Sequence, residues 1–237
     1  VHYVKQHPQL FATYIMNFLC AIDSILITKY RDAMGTKPSL TLELDGHTAD
    51  AGVNTRIEAF LDIVRNFRRI QETIKDKDYS EFVESDLVMK GKKMVMINSK
   101  KEELSLTNDN VTLLIPNMGD ASSRLLASVF KRMGINAVAM PISDMEVLKH
   151  GRGKTTCKEC LPMLLVIGGL LKYVYNERRE GENLVLFMPA AAGYCRMGQY
   201  RIFIREMLKK HNIKDVAQIS LENENRYAGL GTTFTIE

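Results

Sequence analysis

The sequence predicts an α/β protein, with a Rossmann-like, doubly wound parallel-sheet domain and a partial second α/β unit. From residue 111 onward, short apolar stretches alternate with stretches whose apolar side chains recur at helical spacing. Strand, helix and strand at this spacing imply parallel strands joined by right-handed crossovers. The chain has 237 residues, 46% of them hydrophobic, so it is long enough for one large or two ordinary domains.

The Rossmann-like domain is predicted over residues 108–237. In chain order, its strands and helices are "VTLLIPN", "ASSRLLASVFKRM", "INAVAMP", "LPMLLVIGGLLKYVYN", "NLVLFMP", "QYRIFIREMLKKHN" and "VAQISL". The spacing in the first helix, which is closed by Gly134, predicts a buried face formed by Leu125, Leu126, Val129, Phe130 and Met133. Ligands of such domains bind beyond the carboxyl ends of the strands. The loop that carries Cys195 is expected to emerge there.

Residues 1–75 are predicted to form the partial α/β unit, the end of a domain truncated at its N-terminus. The pattern favours helices over 8–19 and 23–34, the second with N-cap oxygens from Asp23 and Ser24 and an end at Gly35. A strand over 39–45 and a long helix follow; the apolar face of that helix is expected to contain Ile57, Phe60, Leu61, Val64 and Phe67. Residues 76–107 are charged and irregular, which predicts a linker or hairpin excursion.

Composition argues against several classes of protein. Lysine and arginine (32) nearly balance aspartate and glutamate (28), and the basic clusters lack interleaved aromatic residues, so nucleic-acid binding is not expected. The apolar stretch "LPMLLVIGGLL" is shorter than the roughly 18 residues that a membrane span needs. Four cysteines in a chain of this length do not make a disulfide scaffold, which favours a reducing, cytoplasmic location.

The positions of the cysteines carry more information than their number. Cys20, Cys160 and Cys195 each precede the predicted start of a helix, where unpaired backbone N–H groups and the helix dipole stabilise a metal-binding thiolate. Cys157 and Cys160 form a Cys-x-x-Cys pair, a spacing that both zinc and iron–sulfur sites use. The residues alone leave three hypotheses open: an iron–sulfur site, a zinc site through Cys157 and Cys160, and inert cysteines.

Four motifs in order carry a family resemblance: "NFLCAIDS", "LTLELDGHTADAGVNTRIEAFLD", "GKTTCKECLPMLLVIGGLLK" and "FMPAAAGYCRMGQY". The chain resembles the 2-hydroxyacyl-CoA dehydratase superfamily, and especially the C-terminal region of large CoA-substrate-specific enzyme activases, the activators of 2-hydroxyglutaryl-CoA dehydratase. The resemblance covers most of the chain except about residues 75–108.

This resemblance implies Rossmann-like units whose loop cysteines hold an iron–sulfur cluster, 4Fe-4S or larger, between domains. By motif matching, the implied ligands are Cys20, Cys160 and Cys195, with Cys157 as a weaker candidate. It further implies low-potential electron transfer to a CoA-linked substrate or partner, driven by an ATPase activase domain of the same or a partner chain. The fragment alone is expected to be inactive. The alternative is a scaffold or small-ligand-binding domain of the same family without a cluster.

Three other features have competing interpretations. The acidic segment Glu43–Asp50 could bind a divalent metal, but the favoured interpretation is that His47 and Asp50 cap the following helix and hydrogen-bond across the domain junction. Arg196 would offset cluster charge or contact a CoA phosphate, and a surface ion pair is equally consistent with its position. "GGL" at 168–170 is interpreted as close helix packing rather than phosphate binding.

Overall fold

The computed structural model describes residues 1–17, 22–46, 48–71, 81–91, 93–155, 159–190, 195 and 197–220. The chain divides into two compact units, Val1–Asp78 and Tyr79–Glu237. The elements of the first unit are α1 (His2–Gln6), β1 (Thr13–Met16), α2 (Asp23–Met34), β2 (Leu40–Glu43) and α3 (Asp50–Ile70). Those of the second are β3 (Asp86–Lys90), β4 (Lys93–Ile97), β5 (Glu103–Ser105), β6 (Val111–Ile115), α4 (Asp120–Arg132), β7 (Ala137–Ala139), α5 (Met145–Lys154), α6 (Leu161–Asn176), β8 (Asn183–Phe187), α7 (Met197–Lys210) and β9 (Val216–Ile219).

The first unit contains a two-stranded parallel sheet in which β1 pairs with β2. The predicted helix over 8–19 is therefore wrong, because Thr13–Met16 is a strand. Tyr14 and Ile15 belong to the aromatic and β-branched types that favour strands, and the pairing satisfies backbone groups that a short isolated helix would leave to solvent. The predicted strand over 39–45 is confirmed in its central part, Leu40–Glu43.

Helix α2 begins and ends near its predicted bounds, but its N-cap differs from the prediction. Ile22 occupies the N-cap position, and no side chain caps the helix there. The carboxylate of Asp23 instead accepts a hydrogen bond from the Tyr14 hydroxyl at 2.8 Å, which ties the helix to β1. Gly35 ends the helix with φ 62°, a left-handed conformation that glycine adopts without strain.

Helix α3 follows the predicted helical repeat but buries none of its side chains completely. Phe60, Val64 and Phe67 are half-buried, whereas Ile57 and Leu61 of the predicted apolar face are exposed. The period in the sequence located the helix correctly. It did not determine how deeply the apolar face would be buried.

The second unit is built on a four-stranded, wholly parallel sheet with the strand order β7-β6-β8-β9. Leu113, Val185 and Ala217 belong to one core, and the residues that alternate with them, such as Leu114 and Leu186, are also fully buried. Both faces of the sheet are therefore covered, as parallel sheets require. This confirms the predicted mixed α/β, Rossmann-like fold class.

The antiparallel sheet β3-β4-β5 precedes the parallel sheet and belongs to the second unit. Met94, Met96 and Leu106 are buried in the same core as Val111 and Leu113 of β6. The sequence predicts either a linker or a hairpin excursion over residues 76–107. The antiparallel pairing of β3 with β4 agrees with the hairpin and not with the linker. The predicted domain start at residue 108 is corrected, because burial of these side chains makes the antiparallel sheet part of the second unit.

Helix α4 is rotated relative to the predicted apolar face. Its buried side chains are Ser123, Ala127 and Phe130. Ser123 is drawn inward because its hydroxyl donates to the carbonyl of Pro116 at 3.1 Å and accepts from the backbone N–H of Met118 at 2.9 Å. Leu126 remains partly packed against the core, but three residues of the predicted face are exposed: Leu125, Val129 and Met133.

Helices α5 and α6 approach closely at two glycines. A Cβ at Gly168 would overlap the backbone carbonyl of Val147, and one at Gly151 would overlap that of Leu164. The interpretation of "GGL" as a close helix contact is thereby confirmed. Helix α5 itself was not predicted; its N-terminal signal is Asp144, whose side chain caps the helix by accepting from the backbone N–H of Val147 at 2.8 Å.

The amino-terminal side of the parallel sheet contains a buried carboxylate. Glu182 is 3% exposed and accepts hydrogen bonds from the hydroxyl of Thr112 at 2.5 Å and from Tyr173 at 3.2 Å. Arg179 adds a backbone bond at 3.0 Å and a guanidinium bond at 3.1 Å. Burial by itself raises the pKa of Glu182, but the hydrogen bonds from Thr112 and Arg179 outweigh it and hold the pKa below the ordinary value of a glutamate.

We expect Gly168→Ala to lower the free energy of unfolding by about 1–3 kcal/mol, because the added methyl group forces α5 and α6 apart at a backbone-to-backbone contact. Gly153→Ala on α5 is the matched control, since a Cβ there meets nothing within 4 Å. The control should leave stability unchanged or raise it slightly. Equal urea midpoints for the two variants would contradict the close contact.

We expect Glu182→Gln to weaken the dependence of stability on acid pH. A carboxyl whose pKa is lower in the folded protein stabilises it above its unfolded pKa and loses that contribution as pH falls through the folded pKa. The wild-type protein should therefore lose stability more steeply than the variant as pH falls below the ordinary pKa of a glutamate. Urea unfolding across acid pH measures this slope. Glu180→Gln, at an exposed neighbouring position, should retain the wild-type slope.

Candidate functional site at the carboxyl edge of the parallel sheet

A cavity of about 590 Å³ lies beyond the carboxyl ends of three strands. Pro116 follows β6, Met140 follows β7 and Met188 follows β8, and all three line the cavity. The strand order reverses between β6 and β8, since β7 lies on one side of β6 and β9 beyond β8. Crossovers diverge at such a switch point, and in open α/β sheets this is where ligands bind.

Cys160 forms the N-cap of α6. Its backbone is extended (φ −68°, ψ 149°), and its carbonyl accepts from the N–H groups of Met163 at 3.0 Å and Leu164 at 3.2 Å. Pro162 lies in the first turn of α6, where its ring fixes a helical φ. The backbone N–H groups of a first turn have no partner within the helix, so the N–H that proline lacks is not needed there. The thiol is half-buried and does not cap the helix, which leaves the sulfur available for another partner.

That partner is Tyr200 of α7. The sulfur of Cys160 and the hydroxyl oxygen of Tyr200 are 2.6 Å apart. Tyr200 is 5% exposed, and its side chain lines the cavity. The contact connects the start of α6 to the first turn of α7 at the cavity wall.

Cys195 lies just before α7 and also lines the cavity. Its thiol is exposed, and its carbonyl accepts from the backbone N–H of Gly198 at 3.3 Å. The sequence placed Cys160 and Cys195 at helix starts on the carboxyl side of the sheet, and the structure confirms these two positions. The cavity connects them, since Cys195 lines it directly and Cys160 contacts a residue of its wall.

Four other predicted site residues lie outside the described residues: Cys20, His47, Cys157 and Arg196. Within the described part of the chain, no group of three or more His, Cys, Asp and Glu side chains is arranged to hold a metal ion. The described residues therefore contribute two of the predicted cysteine ligands. The assignments of the other residues stay predictions.

The lysine that lines the cavity is paired with two carboxylates, and the carboxylate of Glu177 also lines the cavity. Lys172 contacts Glu146 at 2.6 Å and Asp144 at 3.0 Å. Hydrogen bonds to Glu146 and Asp144 raise the pKa of Lys172, while the backbone N–H of Val147 and the Lys172 ammonium lower the pKa of Asp144. Much of the remaining wall is apolar, including Leu165 and Val166. The described wall therefore suits an uncharged group better than a phosphate.

Within the segment Glu43–Asp50, Asp45 and Thr48 are joined by hydrogen bonds. The Thr48 hydroxyl donates to the Asp45 carboxylate at 2.9 Å and accepts from the Asp45 backbone N–H at 2.7 Å. Ala49 is the N-cap of α3, without a side-chain cap, so the predicted capping by Asp50 is wrong. Asp50 is instead the first helical residue, where its negative charge complements the helix dipole.

Sequence reasoning missed Tyr200 as a site residue. Tyr200 belongs to the quoted motif that contains Cys195, but its partner Cys160 is 40 positions earlier in the chain. A tyrosine on an apolar helix face is ordinarily a core residue. No local signal in the sequence marked its contact with a thiol.

Comparison with known proteins does not identify a relative. No family model matches the chain, and no curated protein or solved structure matches it. Evidence about the chemistry of the site therefore comes from the residues described above.

No described helix is sufficiently long and apolar to cross a membrane.

We expect Cys195 to be alkylated faster than Cys160 in the reduced, metal-free protein. The Cys195 thiol is exposed, whereas Cys160 is half-buried with its sulfur against the Tyr200 hydroxyl. Timed iodoacetamide labelling followed by peptide mass spectrometry measures both rates in one sample. Faster labelling of Cys160 would contradict this arrangement, and labelling in denaturant provides the control for intrinsic reactivity.

Proposed function

We propose that this chain is an iron–sulfur-binding part of an electron-transfer protein, of the type that the family resemblance implies. The observation that carries the proposal is the pair Cys160 and Cys195. Both lie at helix starts beside one cavity at the switch point of a parallel sheet. Thiolates are the usual ligands of iron–sulfur clusters, and backbone N–H groups at helix N-termini stabilise their negative charge.

The described residues fit part of such a site. Two thiols, one exposed and one half-buried, suit a soft metal centre, and the nearby wall is largely apolar. In the proposal Cys160 and Cys195 bind the metal centre, and Cys20 remains the predicted third ligand. When bound, a cluster supplies one-electron redox chemistry at low potential. The apolar wall limits the access of water, and Tyr200 holds the sulfur of Cys160.

The proposed substrate side of the reaction is a CoA-linked molecule or a partner protein, with an ATPase activase domain as the source of electrons. The largely apolar wall of the cavity that Cys195 lines supports binding of an apolar part of such a molecule. The neutralised Lys172 is unsuited to its phosphates, so Arg196 remains the proposed phosphate contact. We place the protein in the cytoplasm, where reducing conditions keep thiolates available for iron.

A second candidate function is a small-ligand-binding domain without a cluster. The observation that favours it is the cavity, whose volume of about 590 Å³ lies within the range of small-molecule sites. Zinc binding through Cys157 and Cys160 is a third, weaker candidate. Metal analysis of anaerobically reconstituted protein distinguishes the three, because they predict iron with sulfide, no metal, and zinc respectively.

We expect Cys195→Ser to abolish iron incorporation, because it replaces a proposed thiolate ligand with a hydroxyl that binds iron poorly. Cys157→Ser is the matched control at a cysteine that we propose is not a ligand, and it should change iron content little. Iron and sulfide assays on anaerobically reconstituted proteins, with the visible absorbance of iron–thiolate bonds, measure both. Full iron content in Cys195→Ser, or complete loss in Cys157→Ser, would overturn the ligand assignment.

A further inference from the structure

The phenol of Tyr200 is held in a fixed orientation by the helix that carries it. Phe203, Ile204 and Met207 lie three, four and seven residues after Tyr200, and all of them are buried. This spacing places them on the face of α7 that also contains Tyr200. Rotation of the helix that would withdraw the hydroxyl from Cys160 would therefore expose these apolar side chains.

The direction of the Tyr200–Cys160 hydrogen bond follows from the chemistry of the sulfur. A phenol can donate or accept, but a metal-bound thiolate has no proton to donate. If Cys160 binds iron, the Tyr200 hydroxyl must be the donor in its contact with this sulfur. Such a bond to a charged acceptor is stronger than a neutral one, and burial of Tyr200 strengthens it further.

We propose that Tyr200 is a positioning residue that orients Cys160 toward the metal and raises the reduction potential of the cluster. This inference rests on the proposed iron–sulfur function. Reduction adds negative charge to the iron and sulfur atoms, so a hydrogen-bond donor to a ligand sulfur stabilises the reduced form more than the oxidised form. Tyr200 also lines the cavity that Cys195 lines, so its hydroxyl contacts the Cys160 sulfur at the wall of that cavity.

The decisive variant is Tyr200→Phe, which keeps the buried ring and removes only the hydroxyl. We expect unchanged iron content but a lower reduction potential in redox titrations followed by electron paramagnetic resonance. The expected size is about a tenfold loss in the equilibrium constant for reduction, which is 59 mV for one electron. Tyr175→Phe on α6 is the control, because Tyr175 is half-exposed and does not line the cavity.

A potential for Tyr200→Phe equal to that of Tyr175→Phe and of the wild-type protein would overturn the proposal. Loss of iron from Tyr200→Phe while circular dichroism shows a folded protein would contradict the expected unchanged iron content and would overturn the proposal that the hydroxyl acts on the potential of a bound cluster. Unchanged iron content with a lowered reduction potential would support the proposal that the Tyr200 hydroxyl raises the potential of the cluster. A purely structural tyrosine would change stability without moving the potential.

A second measurement needs no iron and tests the contact itself. In metal-free protein labelled with 3-fluorotyrosine, the Tyr200 resonance is assigned by its disappearance in Tyr200→Phe. Cys160→Ala should shift this resonance, whereas Ser128→Ala on the exposed side of α4 should not. An unmoved Tyr200 resonance in Cys160→Ala would overturn the inference. Absence of iron from the wild-type protein with a clear resonance shift would instead reject the proposed function and the effect on the potential, while the contact between Tyr200 and Cys160 would stand.

Discussion

The parallel pairing of β6 with strands on both sides is the constraint on which the candidate site depends. Leu113 lies opposite Ala137 of β7 and opposite Val185 of β8, so the chain crosses from β6 in one direction and later returns to pair on the other side. The connections that leave β6 and β8 lead in opposite directions along the sheet, so they cannot both cover the same strand end. The space left at the carboxyl edge becomes the cavity, and the loops after the strands become its wall.

Close packing of α6 against α5 positions the thiol of Cys160 beside that cavity. The glycine contacts with α5 bring the two helix backbones together, and the N-cap residue of α6 is Cys160. Helix α7 presents Tyr200 to the same sulfur from a face that is otherwise apolar. The position of the half-buried thiol is therefore a consequence of helix packing, whereas Cys195 is exposed just before α7.

The electrostatics of the cavity limit what it can bind. Its lysine is paired with two carboxylates, its other charged side chain is Glu177, and most of the remaining wall is apolar. The groups near it that could bind a soft metal are thiols and a phenol. These groups favour a soft metal or an uncharged molecule over a phosphate. The buried carboxylate Glu182 lies on the amino-terminal side, where hydrogen bonds satisfy it, and it serves the stability of the fold.

The sequence by itself determined the fold class, the strands of the parallel sheet and the helix starts at Cys160 and Cys195, because these depend on local periodicity, caps and breaks. It failed for Thr13–Met16, since pairing with β2 overrode the helical pattern, and for α4, since Ser123 turned its hydroxyl inward to bind Pro116 and Met118. Only the tertiary structure decided that Tyr200 contacts Cys160, that the antiparallel sheet joins the second core, and that one cavity connects two of the predicted cysteines. These depend on distances between residues far apart in the chain, and local patterns carry no information about such distances.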